Sequence, residues 1–140
     1  MRADDRRLRL KAAARAGARA LPVLWALLPA LAAAGPLEEC MAAGDHAAVT
    51  RCLADAERKA SSELATAEGT AGRRARELEQ ATGRAGVHAA LAKSIRDFAQ
   101  YRAAQCNYVK ETYASGTGAD QAQLACRVEL TRRRSRDLAP

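Results

Sequence analysis

From Asp45 onward, apolar side chains return at helical spacing. Val49, Leu53, Ala56, Ala60, Leu64 and Ala67 form one stripe, the three-to-four-residue period of an amphipathic helix. Asp45, directly after Gly44, is placed to cap its first turn. Gly69 and Gly72 are expected to loosen or end this helix. Residues 73–82 are charged and offer little beyond Ala75 and Leu78 to bury, so they form a continuation or a separate short helix. Gly83 and Gly86 then break the chain. A second helix is predicted over residues 87–113, with Leu91, Ile95, Phe98, Tyr101, Val109 and Tyr113 marking its buried side. Ser115, Gly116, Thr117 and Gly118 read as a flexible turn. Asp120 is placed to cap a third helix whose face is Leu124, Val128, Thr131 and Leu138, with Leu130 flanking. No run alternates β-branched residues as a strand does. The class is all-α: a small antiparallel bundle of three to four helices.

The N-terminus follows a different pattern. Arg2, Arg6, Arg7, Arg9, Lys11, Arg15 and Arg19 stand against only Asp4 and Asp5. An uncharged stretch follows, built on Leu21, Val23, Leu24, Trp25, Leu27, Leu28 and Leu31, and it closes on Ala32-Ala33-Ala34. A basic region, a short apolar region and small residues at the end are the parts of a cleavable secretory signal. A membrane anchor needs about 20 apolar residues; this run is shorter and holds Pro22 and Pro29. Residues 1–34 are therefore expected to be a signal peptide and residues 35–140 one domain, with no stable membrane span after cleavage. Arg6-Arg7 resembles a twin-arginine signal, but Arg9 stands where that pattern prefers an apolar residue, so ordinary secretion is expected. Leu37-Glu38-Glu39 ahead of Cys40 lacks the small residues of a lipid-attachment site.

Cleavage changes the charge. The whole chain carries 23 basic and 16 acidic residues, a net +7. Without residues 1–34, 16 basic and 14 acidic side chains remain, a net +2. The apparent basicity is mostly targeting charge, which argues against a nucleic-acid partner. Arg132, Arg133, Arg134 and Arg136 remain as a local run, which suits the C-terminal end of a helix dipole.

Cys40, Cys52, Cys106 and Cys126 all lie after the signal and lack metal-type spacing. In an oxidising compartment four such residues read as two disulfides, for which three pairings exist. Cys106 lies ten residues before Gly116 and Cys126 ten after it, so an antiparallel hairpin brings them level. Cys40 and Cys52 likewise flank Gly44-Asp45-His46, where an approach segment can fold back on the first helix. The favoured pairing is Cys40–Cys52 with Cys106–Cys126. Aromatic residues make up only 4% of the chain, so helix approach over alanine and the disulfides must carry much of the packing.

Catalytic chemistry is sparse. His46 and His88 stand in separate segments, with no nucleophile–base–acid arrangement and no ligating carboxylate at a metal spacing. The Gly116-Thr117-Gly118 turn is too short to cradle a phosphate. The expectation is a non-enzyme without metal or cofactor.

Phe98-Ala99-Gln100-Tyr101-Arg102-Ala103-Ala104-Gln105-Cys106 resembles the signature of the LprI-like lysozyme inhibitor family. There a tryptophan, an aromatic-Arg-Asp step and a cysteine stand at this spacing. Cys126, Thr131, Arg134 and Leu138 follow a Gly/Ser turn at the family's intervals, and Cys40 with Cys52 fits its N-terminal pair. The resemblance spans Cys40 to Leu138. Phe98 replaces the tryptophan, Ala103 replaces the aspartate beside Arg102, and Leu64-Ala65 matches only the leucine of a Leu-Asn step. Arg102 and Arg134 are each expected to span the second and third predicted helices to a carboxylate or carbonyl. The resemblance implies a periplasmic or secreted binding protein, acting on a lysozyme or other muramidase by non-catalytic contact. The alternative is a structural or adaptor module of the cell envelope with no lysozyme target. An inhibitor needs a rigid presented edge, and Ser115, Gly116, Thr117 and Gly118 are the candidate.

Trp25 is the sole tryptophan and lies within the expected signal. Protein recovered from its exported location and excited selectively in the indole band is expected to be nearly dark. Indole emission from that material would return the anchor reading.

Overall fold

The computed structural model describes residues 35–113 and 116–140. The expected signal peptide and Ser115 lie outside the described residues. Four helices follow in order: α1 (Pro36–Met41), α2 (His46–Thr82), α3 (Val87–Thr112) and α4 (Ala119–Asp137). No strand occurs among the described residues.

Sequence chemistry accounts for most of the boundaries. Pro36 opens α1, where its missing N–H costs nothing and its fixed φ suits a first turn. Asp45 caps α2, its carboxylate accepting from the Ala48 amide at 2.8 Å. Gly83 closes α2 at φ 69°, and its N–H donates to the Glu79 carbonyl at 2.9 Å, a left-handed closure open to glycine at little cost. Gly86, at φ 103°, turns the chain into α3.

Three expectations are corrected. Gly69 and Gly72 do not end the first long helix: α2 runs unbroken for 37 residues, about 55 Å at 1.5 Å per residue. Packing along its length outweighs the roughly 1 kcal/mol that each glycine costs a helix interior. Tyr101 and Tyr113 are not buried; they remain 53% and 48% exposed, because α3 gives α2 and α4 a narrower face than its periodicity suggests. Asp120 does not cap α4. Gly118 holds the cap position without a side-chain bond, and Asp120, one residue inside the helix, pairs with Lys110 at 2.8 Å.

α2 and α3 run antiparallel, as do α3 and α4, and α1 packs on α2 and α4. Cys40 on α1 is bonded to Cys52 on α2, and Cys106 on α3 to Cys126 on α4. Their Cα separations, 5.7 and 5.5 Å, lie in the ordinary range. Both cystines sit in the end of the bundle that holds α1, the start of α2 and the start of α4. The core is here too: Cys40, Val49 and Leu53, with Leu37, Leu124 and Ala125 packed against them. Val128, Thr131 and Cys106 are also fully buried. Buried alanines at 60, 75, 119 and 122 allow the helices to approach closely.

Towards the other end the packing thins. Arg74 on α2 donates to the Leu138 carbonyl just past α4 at 2.6 Å, and Arg134 reaches Ser94 on α3 at 2.7 Å. Beyond these ties α2 and α3 are the helices that continue among the described residues. Eight more residues of α2 follow Arg74, about 12 Å of helix, and with the start of α3 they form a two-helix hairpin.

A methyl group at Gly69 or Gly72 would meet nothing nearer than the tips of Arg73 at 4.0 Å or Arg76 at 3.7 Å. Gly69→Ala and Gly72→Ala are each expected to raise unfolding free energy by about 1 kcal/mol, measured by urea denaturation. A loss of stability would mean that α2 bends there in solution.

Candidate functional site

The motif residues of α3 and α4 form one cluster. Arg102 Nη1 donates to Thr131 Oγ1 at 2.7 Å, and Arg134 Nη2 to Ser94 Oγ at 2.7 Å. Both guanidinium carbons lie over the Phe98 ring, 5.8 and 5.5 Å from its centre, within reach of its negative face. The two arginines do span α3 and α4, but each ends on a hydroxyl where a carboxylate or carbonyl was expected. The reason is position: Thr131 and Ser94 are the polar side chains facing the seam. Ala103, where the resemblance places aspartate, is exposed, so an acid there is not needed for the Arg102 tie. Arg134 Nε is buried without a hydrogen-bond partner among the described residues. Leu138 is half-buried beside this cluster, and Tyr101 lines a surface depression with Phe98, Leu130, Arg133 and Arg134.

The rest of the arginine run divides by direction. Arg132 reaches the Glu39 carboxylate of α1 with contacts of 2.9 and 2.8 Å, which fastens α1 to α4. Arg133 is exposed, and Arg136 approaches Glu129 at 4.0 Å.

The α3–α4 turn lies at the cystine-bearing end. Gly116 and Thr117 are exposed, Gly118 is half-buried, and the Gly116 amide donates to the Tyr113 carbonyl at 3.1 Å. Lys110 and Asp120 close the turn across its base. Their hydrogen bond raises the Lys110 pKa and lowers that of Asp120. The two shifts agree in sign, as an ion pair favouring both charged forms requires.

The α2–α3 turn at the opposite end was read from sequence only as a break. It is built. The His88 amide donates to Glu79 Oε1 at 2.9 Å, and His88 Nε2 lies 2.9 Å from Arg76 Nη1. Hydrogen bonding from the His88 amide holds the Glu79 carboxyl below its usual pKa, with the Gly86 and Val87 amides adding to it. Gly86 has no side chain to cap α3, and Glu79 does so from across the turn. Gly83 and Gly86 around Arg84-Ala85 were the sequence signal for a tight connection. The partner acid, four residues before the first glycine, was not legible from spacing alone.

His46 stands at the start of α2, where its carbonyl accepts from Gln121 at 2.9 Å, and His88 stands at the hairpin end. Between α2 and α3 runs an open groove of about 380 Å³, lined by Gly69, Gly72, Leu91 and Ile95 among others. Among the described residues no helix is long and apolar enough to cross a membrane.

The sequence profile of the family described as lysozyme inhibitor LprI matches residues 39–138. The chain belongs to the LprI family. The match begins beside Cys40 and ends at Leu138, so it takes in both cystines, the arginine–phenylalanine cluster and both turns. No curated protein and no solved structure matches the chain. Within this LprI domain the motif residues Arg102, Thr131, Arg134 and Phe98 tie two helices together, which is a structural task visible in their contacts.

Thr131 is fully buried and accepts the charged Arg102 donor. Thr131→Val is expected to cost about 1–3 kcal/mol in chemical denaturation, with Thr131→Ser recovering most of it. If valine is neutral, the arginine is not held by this hydroxyl.

Proposed function

We propose that this chain is an exported protein that inhibits a lysozyme or another muramidase by protein–protein contact and without catalysis. The family match over residues 39–138 carries the proposal, because it covers the cystine-held helices as one unit. Two cystines require an oxidising compartment to form, which accords with cleavage of residues 1–34 and a periplasmic or secreted location. Inhibition by contact asks for a surface that keeps its shape when a substrate cleft closes on it. Helices held by cystines provide such a frame, and the turns Ser115–Gly116–Thr117–Gly118 and 83–86 are its two candidate edges.

The second reading is an adaptor of the cell envelope with no lysozyme target. Its supporting observation is charge. Residues 35–140 carry a net of only +2, which offers no long-range steering toward basic animal-type lysozymes.

The two readings part in a turnover assay. Oxidised protein comprising residues 35–140, at micromolar excess, is expected to slow peptidoglycan hydrolysis by at least one enzyme of a panel of animal-type and bacterial muramidases. Unchanged turnover across the whole panel would sink the inhibitor reading and leave the adaptor.

A further inference from the structure

The inhibitor reading leaves open which part of the molecule enters the partner. A muramidase cleft carries two catalytic carboxyl groups, about 5–9.5 Å apart depending on its stereochemistry. A blocking group complementary to that pair is a cation that is exposed, not already neutralised, and mounted on something narrow. The planar guanidinium fork suits carboxylates better than an ammonium.

Most cations of the described chain are engaged. Arg58, Lys93, Lys110, Arg127, Arg132 and Arg136 face Asp55, Asp97, Asp120, Glu57, Glu39 and Glu129. Arg102 and Arg134 turn inward to hydroxyls, and Arg74 and Arg76 are bonded to Leu138 and His88. Arg51, Lys59, Arg73, Arg96 and Arg133 lack an acidic neighbour within salt-bridge reach among the described residues, but each lies along a helix. Arg84 shares that freedom and alone stands in a turn between helices. At the α3–α4 turn, by contrast, Lys110 is already held by Asp120.

The mounting of Arg84 is narrow and stiff. It sits at the end of the hairpin, two helices wide. Two glycines at positive φ set the path of the turn, and the Glu79 contact to the His88 amide locks its two sides together. Around Arg84 lie Leu78, which is 50% exposed, with Ala85 and Val87. Glu79 and Gln80 border Arg84 on the opposite side, so the cation stands between a polar flank and an apolar one, and the apolar flank is the part that excludes water when a partner closes over it.

We infer that the α2–α3 turn is the inhibitory edge, and that the Arg84 guanidinium docks against the acidic pair of the muramidase cleft while Leu78 is buried at its rim. This rests on the inhibitor reading.

The test titrates the oxidised domain and its variants against a muramidase that the unaltered protein inhibits. Arg84→Ala is expected to weaken inhibition roughly thirtyfold or more, as loss of one partner of a buried charge pair does. Arg84→Glu is expected to abolish it, and Arg84→Lys to restore part of it. Thr117→Glu, at the other turn, is expected to change little. Hydrogen exchange at the His88 amide reports whether each variant keeps the turn. Full inhibition by Arg84→Glu with that amide still protected would overturn this inference and leave the inhibitor reading standing. Loss of inhibition by Thr117→Glu alone would move the edge to the α3–α4 turn. If no muramidase responds even to the unaltered protein, both readings fall together.

Discussion

The two cystines hold together an end of the bundle that has few large side chains to do so. Leu53, Val128, Thr131 and Cys106 are the largest fully buried side chains, and one of these is polar and another is itself half of a cystine. Cys40, 2% exposed, belongs to the same core. The bridges close segments separated by 12 and 20 residues, each of which corresponds to about 3 kcal/mol in the chain-entropy account. For a domain of this size that is a large part of net stability. It is gained by restricting the unfolded chain, which a core of alanines cannot otherwise offset.

Because the bracing sits at one end, the two ends of the molecule differ in kind. Near the cystines, four helices meet and α1 is fastened to α4 by Arg132 and Glu39. At the far end, among the described residues, α2 and α3 continue alone. Val87 and Leu91 are only half-buried there, so local contacts must replace the missing core. Glu79 does this by accepting from the first amides of α3, which lowers its pKa. A carboxyl with a depressed folded pKa contributes stability above its unfolded pKa and loses it as pH falls through the folded one. The hairpin end is therefore the part of the fold that acid loosens through this group.

The same division sorts the charges. Arginines in α4 that look alike in sequence serve three ends: Arg132 binds α1, Arg134 packs on Phe98 and reaches Ser94, and Arg133 faces solvent. Helical geometry turns successive side chains by about 100°, so neighbours in a run must meet different surroundings. Arg102 and Arg134 hold charge against a ring face and hydroxyls. They keep two helices in register without an acid at position 103.

Local patterns in the sequence determined that the chain is helical and where α2 begins, and they favoured, among three possibilities, the cysteine pairing that the structure has. Each of these depends on neighbours in sequence or on distance from a turn: Asp45 three residues from the amide it caps, Cys106 and Cys126 ten residues on either side of Gly116. The residues of the family motif were legible through the resemblance to the LprI-like family. What remained hidden depends on contacts between distant segments. Gly69 and Gly72 looked like breaks because local propensity penalises them, and packing along α2 overrode it. Tyr101 and Tyr113 looked buried because spacing fixes a face but not how wide a neighbour covers it. Glu79 as the cap of α3, and the place of Arg84 at the end of the two-helix hairpin, are decided only in the folded molecule. The lengths of three helices must be set side by side before one turn is seen to extend beyond the rest.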